Sequence, residues 1–142
     1  MNIQSHAYAA LILRLSLAAL FLAHAGLKFF VFTPAGAAGF FQSVGLPGVL
    51  AYITIIAEVA GAFLLITGLF TRLVSIALLP IILGAIIFVH GSNGWLFSNT
   101  NGGWEFPAFW AVALVVQALL GSGALSLNYV KGSLKFSGLS EA

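Results

Sequence analysis

LAYITIIAEVAGAFLLITGLF, residues 50–70, is apolar on every face and carries one charge, Glu58. An amphipathic surface helix keeps a polar face, and a half-buried strand alternates polar and apolar residues. A helix crossing about 30 Å of hydrocarbon needs about 20 consecutive apolar residues, which this stretch supplies. Residues from about 8–32, 73–90 and 106–125 read the same way. The connections carry turn residues: TPAGAAG and GLPG after the first span, GLFTR after the second, GSNGWLFSNTNGG after the third. The expected fold is an all-α integral membrane protein, an antiparallel four-helix transmembrane bundle in one domain. A short polar tail over 126–142 is expected in the cytoplasm. Membrane β-strands would alternate over about ten positions, and none of these segments does.

Composition agrees. Of 142 residues, 5 are Lys or Arg and 3 are Asp or Glu, so 6% are charged, against about 25% in soluble domains. Hydrophobic residues make up 61%. That excludes an ordinary soluble globule and a disordered chain. There is no cysteine, which excludes disulfides, thiolate metal sites, cysteine-bound iron–sulfur clusters and cysteine nucleophiles. A net charge of +2 without a basic run gives no reason to expect nucleic acid.

Lys and Arg near span ends set orientation. Arg14, Arg72, Lys131 and Lys135 fall on one side and Lys28 alone on the other. Both termini are therefore expected in the cytoplasm. AHA at 23–25 resembles a signal-peptidase site, but no Lys or Arg precedes Ala7 and Arg14 interrupts the apolar core. The first span is expected to be retained.

Depth locates the candidate site. At about 1.5 Å rise per residue, His24 lies about 9–12 Å below the outer end of span one. Lys28 lies one turn higher. Glu58 lies about 12 Å below the same surface by the same rise. His90 closes span three and Glu105 opens span four at that level. A lone carboxylate at such depth is costly, so Glu58 is expected to pair with His24 or Lys28. Intramembrane ionisable residues mark ligand and proton pathways. Each residue also has a structural reading. Glu58 can staple two helices, and Lys28 and Arg14 can snorkel to an interface. Glu105 before Pro107 suits a first helical turn, and Trp95, Trp104 and Trp110 suit an aromatic belt. Gly84 is expected to admit a neighbouring helix. Asn101, Gly102 and Gly103 are expected to form a tight turn that aims Glu105 towards Lys28 or His90.

Four pieces in order resemble the DoxX family of small four-span membrane proteins over about residues 10–127. They are LRLSLAALFLAHAGLKFF with Arg14, His24, Gly26 and Lys28; GFFQSVGLP; IIAEVAGAFLLITGLFTRL with Glu58 and Arg72; and NGGWEFP with Glu105 and Pro107. Trp104 stands where the family often has Tyr. The resemblance implies a cytoplasmic-membrane protein linked to redox chemistry. Some relatives are subunits of a thiosulfate:quinone oxidoreductase, and others belong to complexes with redox-defence enzymes.

The expected function is a redox-associated subunit, working with a partner enzyme, whose outward-facing pocket binds a quinone or a small sulfur or aromatic compound. His24, Lys28, Glu58, His90 and Glu105 are its ligand and proton-relay candidates. Arg14, Gly102, Gly103, Trp104 and Pro107 are its framework. The alternative is a scaffold or assembly factor whose polar cluster locks the helices. No catalytic residue is assigned, because nucleophile constellations and dinucleotide fingerprints are missing. No intrinsic cofactor is expected. Haem or metal is disfavoured because His24 lies about 9 Å deeper than His90 by helix rise. The bilayer, a redox partner protein and further copies of the chain are the expected partners.

Overall fold

A computed structural model describes residues 3–127. Lys131, Lys135 and most of the expected tail lie outside that range. Helix α1 runs Ile3–Gly26 and continues through a π-helical turn, Leu27–Val31. Thr33 then reverses the chain at φ 63°, and its side-chain oxygen accepts from the Gly36 N–H at 3.2 Å. Pro34 occupies the first helical position, where its missing N–H costs nothing. This cap starts α2, Pro34–Ser43, a helix inside a connection whose glycines read as a loop. At its end Leu46 N–H reaches Phe41 O and Gly45 N–H reaches Gln42 O, with Gly45 at φ 84°. That pairing satisfies the last carbonyls and turns the chain.

Helix α3 spans Val49–Thr67 and stops at Gly68, φ 71°, with the same pairing from Leu69 to Leu64. Helix α4, Thr71–Ala85, contains Pro80 and runs on through a second π-helical turn, Ile86–His90. Helix α5 spans Glu105–Leu120. Among the described residues, three segments are long and apolar enough to cross a membrane: Gln4–Val31, Val49–Thr67 and Thr71–Asn93. The fourth, α5, is shorter, about 24 Å at helix rise. It was expected to reach residue 125, but Gly121 at φ 82° ends it. The residues after it fold back onto α1, where Ala124 N–H donates to Ala7 O at 2.9 Å.

The helices close a ring: α1 packs on α3, α3 on α4, α4 on α5, and α5 on α1. Leu17, Phe21, Leu65, Leu78 and Leu114 fill its centre. Large apolar side chains also cover the outside, among them Phe30, Ile87, Phe109 and Leu119. In water that surface would aggregate; in a bilayer it is the face presented to lipid.

Arg14 does not snorkel. It is 1% exposed. One terminal nitrogen donates to Ser122 O at 2.7 Å, and the other reaches Leu125 O and Ala124 O at 3.4 and 3.5 Å. A cation is favoured beside carbonyls at a helix C-terminus. Here it also ties the segment after α5 to the first half of α1. Gly68 allows this, because a Cβ there would collide with the Arg14 guanidinium and with Ser126.

Candidate functional site

The opposite end of the bundle is built by the π-helical turns and α2. A π turn pairs each N–H with the carbonyl five residues back, seen in Phe32 N–H to Leu27 O at 3.0 Å. It rotates the side chains beyond it relative to an α-helix, and such turns recur at functional sites. One turn carries Lys28 and the other carries His90. Together with α2 and α3 they enclose a cavity of about 730 Å³, within the size range of small-molecule sites. Its walls are mostly apolar. His24, Lys28, Glu58 and His90 are its ionisable members, and Pro107 also lines it.

Glu58 is 2% exposed and both carboxylate oxygens accept from the Lys28 ammonium, at 2.8 and 2.9 Å. Lys28 remains 18% exposed and also approaches the His24 carbonyl oxygen at 3.5 Å. So the partner of Glu58 is Lys28, and His24 contributes to this pair through its backbone. The His24 ring instead meets the Trp110 indole edge-on, with centroids 4.9 Å apart. His90 Nδ1 lies 2.9 Å from Gly102 O. A carbonyl only accepts, so Nδ1 donates and the other ring nitrogen of neutral His90 is left as an acceptor.

Glu105 does not reach Lys28 or His90. Its Oε1 accepts from the Phe97 N–H at 2.6 Å, and Glu105 is not among the cavity-lining residues. Gly103, Trp104 and Glu105 donate in turn to Leu96 O, Gly94 O and Trp95 O. The NGG turn therefore folds the loop tightly and delivers the Gly102 carbonyl to His90. Trp104 packs edge-on against Trp95, centroids 4.5 Å apart. Trp110 is no belt residue: it is 4% exposed and lines the cavity. Ala37, Phe40 and Phe41 of α2 also line it. The Thr33–Pro34 cap followed by alanines was the signal that could have revealed them. Among the described residues, no group of three or more His, Cys, Asp or Glu is placed to hold a metal ion.

Gly103 is the least replaceable residue of the loop. A Cβ there would strike the carbonyl oxygens of Leu96, Gly94 and Trp95. At Gly102 a Cβ meets only ordinary contacts to the His90 ring from 3.6 Å. Gly103→Ala is expected to lower the thermal midpoint in detergent well beyond Gly102→Ala. The φ of 72° at Gly102 limits its own cost to about 1–2 kcal/mol. Equal shifts would contradict this account of the turn.

The DoxX family profile matches residues 9–91. The chain belongs to the DoxX family. A Bacillus subtilis (strain 168) protein named "Putative oxidoreductase CatD" is 34% identical over 93 residues, 66% of each chain; the chain thus aligns with just under two thirds of that relative. A Haemophilus influenzae protein with the name "Uncharacterized protein" is 32% identical over 118 residues, 82% of this chain and 85% of the other. No solved structure matches the chain significantly. The profile includes His24, Lys28, Glu58 and His90, and ends before Glu105 and Pro107.

Proposed function

We propose that this DoxX protein is a redox-associated membrane subunit whose cavity binds a quinone or a small sulfur or aromatic compound and works with a partner enzyme. The observation that carries this reading is the Lys28–Glu58 pair on the wall of a mostly apolar cavity. Membership of the DoxX family and likeness to a protein named as an oxidoreductase support the redox association. A quinone presents two carbonyl acceptors on a flat apolar ring. Lys28 can share its protons between Glu58 and one carbonyl, and His24 can donate to the ligand. Reduction takes two electrons and two protons. Electrons come from the partner, and the acceptor nitrogen of His90 suits it to exchange protons with the ligand head. Phe40, Phe41 and Phe106 offer the ring apolar surfaces.

We further propose that the cavity faces away from the cytoplasm, with the chain in the inner membrane and both termini inside. Reporter fusions in the third loop and at the C-terminus are then expected in opposite compartments. Ligand identity is tested by purifying the protein from native membranes in polymer-bounded lipid particles and extracting small molecules for mass spectrometry. A quinone or sulfur or aromatic compound retained by the wild type and lost in Glu58→Gln supports the reading. Equal retention by both removes Glu58 from it.

One observation favours a second reading. Both Glu58 oxygens are already satisfied by Lys28, which suits a structural lock between α1 and α3. A scaffold of that kind would keep its function when the pair is replaced by two apolar residues.

A further inference from the structure

We propose that the cavity fills from the bilayer through a lateral port between α3 and α4, and that its ligand is a membrane-partitioned amphiphile whose apolar chain passes Gly84 while its head reaches Lys28 and Glu58. This rests on the ligand-binding reading above and narrows its ligand class.

The geometry of α3 and α4 carries it. The two helices are joined by a short turn near Gly68 and touch closely at Gly61, where a Cβ would lie 2.9 Å from the Leu78 methyl groups. That contact is the floor. Beyond it the cavity lies between the two helices, walled by Ile53, Thr54 and Glu58 on one side and by Pro80, Gly84 and Phe88 on the other. Ile53 and Phe88 are 54% and 45% exposed, and Pro80 is exposed as well. Pro80 lies ten residues before His90, about 15 Å deeper along the helix. A cavity wall exposed at that depth opens towards lipid, not only towards the end of the bundle. Gly84 was expected to admit a neighbouring helix. Instead a Cβ there would find nothing within 4 Å, so its missing side chain is room in the groove.

Polarity is graded along the same line. His24 and Glu58 on α1 and α3, Lys28 on the π turn after α1 and His90 at the far end of the turn after α4 gather the polar groups, whereas the α4 wall from Pro80 to Phe88 is apolar. Across the end of the bundle α2 sets the apolar Ala37 and Phe41 over the cavity. A polar head with an apolar chain matches that gradient. A small water-soluble compound would leave the Pro80–Phe88 wall without a partner.

The test uses the full chain in phosphatidylcholine nanodiscs, with Trp95→Phe and Trp104→Phe so that quenching reports Trp110. The probes are decylubiquinone and the same dimethoxy-methyl-benzoquinone without its tail. Gly84→Leu fills the groove, and Gly84→Ala controls for folding. Gly84→Leu is expected to weaken decylubiquinone binding by about tenfold, the size expected when a side chain must be displaced by the incoming chain. The tail-less quinone should change by less than about twofold, and Gly84→Ala should resemble the parent. Equal losses for both probes, or no loss for either, would overturn the lateral port while leaving the ligand-binding reading intact. Failure of both probes to bind the parent protein would overturn the quinone form of that reading and the port together. Quenching by a bromine-labelled phosphatidylcholine that decylubiquinone cannot displace would assign the groove to a resident lipid and overturn the port for a ligand.

Discussion

Lys28→Leu is expected to destabilise the protein by about 3–5 kcal/mol, the usual consequence of removing one member of a buried ion pair. Glu58→Leu is expected to cost less, about 1–3 kcal/mol. The difference arises from exposure. Glu58 is 2% exposed and has Lys28 on both oxygens, so losing Lys28 strands a carboxylate in an apolar wall. Lys28 is 18% exposed and retains the cavity as an escape for its ammonium. The double replacement, Lys28→Leu with Glu58→Leu, should recover most of the stability, because two apolar side chains leave no charge to satisfy. Thermal unfolding in detergent and membrane-fraction yield measure all three. A larger loss for Glu58→Leu than for Lys28→Leu would reverse the assignment of which partner is stranded. The double variant also separates the functional readings. It should be stable yet inactive if the pair binds ligand, and stable and active if the pair is only a lock. Glu58→Gln keeps the volume and still accepts from Lys28 but carries no charge. Its yield should stay near that of the wild type while activity in the native complex collapses.

The second large effect belongs to the other end of the bundle. Gly68→Val places a branched side chain at φ 71° and drives its Cβ into the Arg14 guanidinium and Ser126. A β-branched residue at positive φ is strained by itself, and here Arg14 must also leave the carbonyls of Ser122, Ala124 and Leu125. Arg14→Leu removes the same bonds without the strain and is expected to cost about 1–3 kcal/mol per carbonyl left unsatisfied. Gly68→Val should therefore be the worse of the two. Arg14→Lys should rescue little, because one ammonium cannot span carbonyls that the planar guanidinium bridges. Limited proteolysis should show the chain after Gly121 cleaved faster in all three variants. Ligand binding by the protein that remains folded should be unchanged, since none of these residues lines the cavity. Unaltered cleavage after Gly121 in Arg14→Leu would mean that Arg14 does not hold that segment.

Much of this was legible in the sequence, and the parts that were not share physical causes. Hydrocarbon thickness and helix rise were enough to place Lys28 within one helical turn of Glu58, and the cost of burying a lone carboxylate called for a partner. The same arithmetic set His24 at the depth of Glu58. Depth alone does not fix the direction of a side chain: the His24 ring turns to Trp110, and only its carbonyl oxygen approaches Lys28. Arg14 read as an interfacial cation because its acceptors are backbone carbonyls more than a hundred residues away, and backbone acceptors leave no mark on a sequence. Glu105 is the mirror case, with its partner the Phe97 N–H. Helix α2 was hidden by its glycines, although its cap and proline were in plain view. Gly84 looked like a packing glycine, and only the empty surroundings of its Cα on the cavity wall reveal it as space.

If the Lys28–Glu58 cavity holds a ligand head by hydrogen bonds, the ligand's own vibrations must register them. Difference infrared spectroscopy reads this on nanodisc-embedded protein, with decylubiquinone labelled isotopically at its carbonyl carbons. A bound carbonyl that accepts from Lys28 or His24 should show its stretch at lower frequency than the same quinone in empty nanodiscs. That shift should shrink in Lys28→Leu with Glu58→Leu, which the pair energetics leave folded. A carbonyl stretch identical to that in empty nanodiscs, or a shift unchanged in the double variant, would contradict hydrogen bonding of the head by this pair.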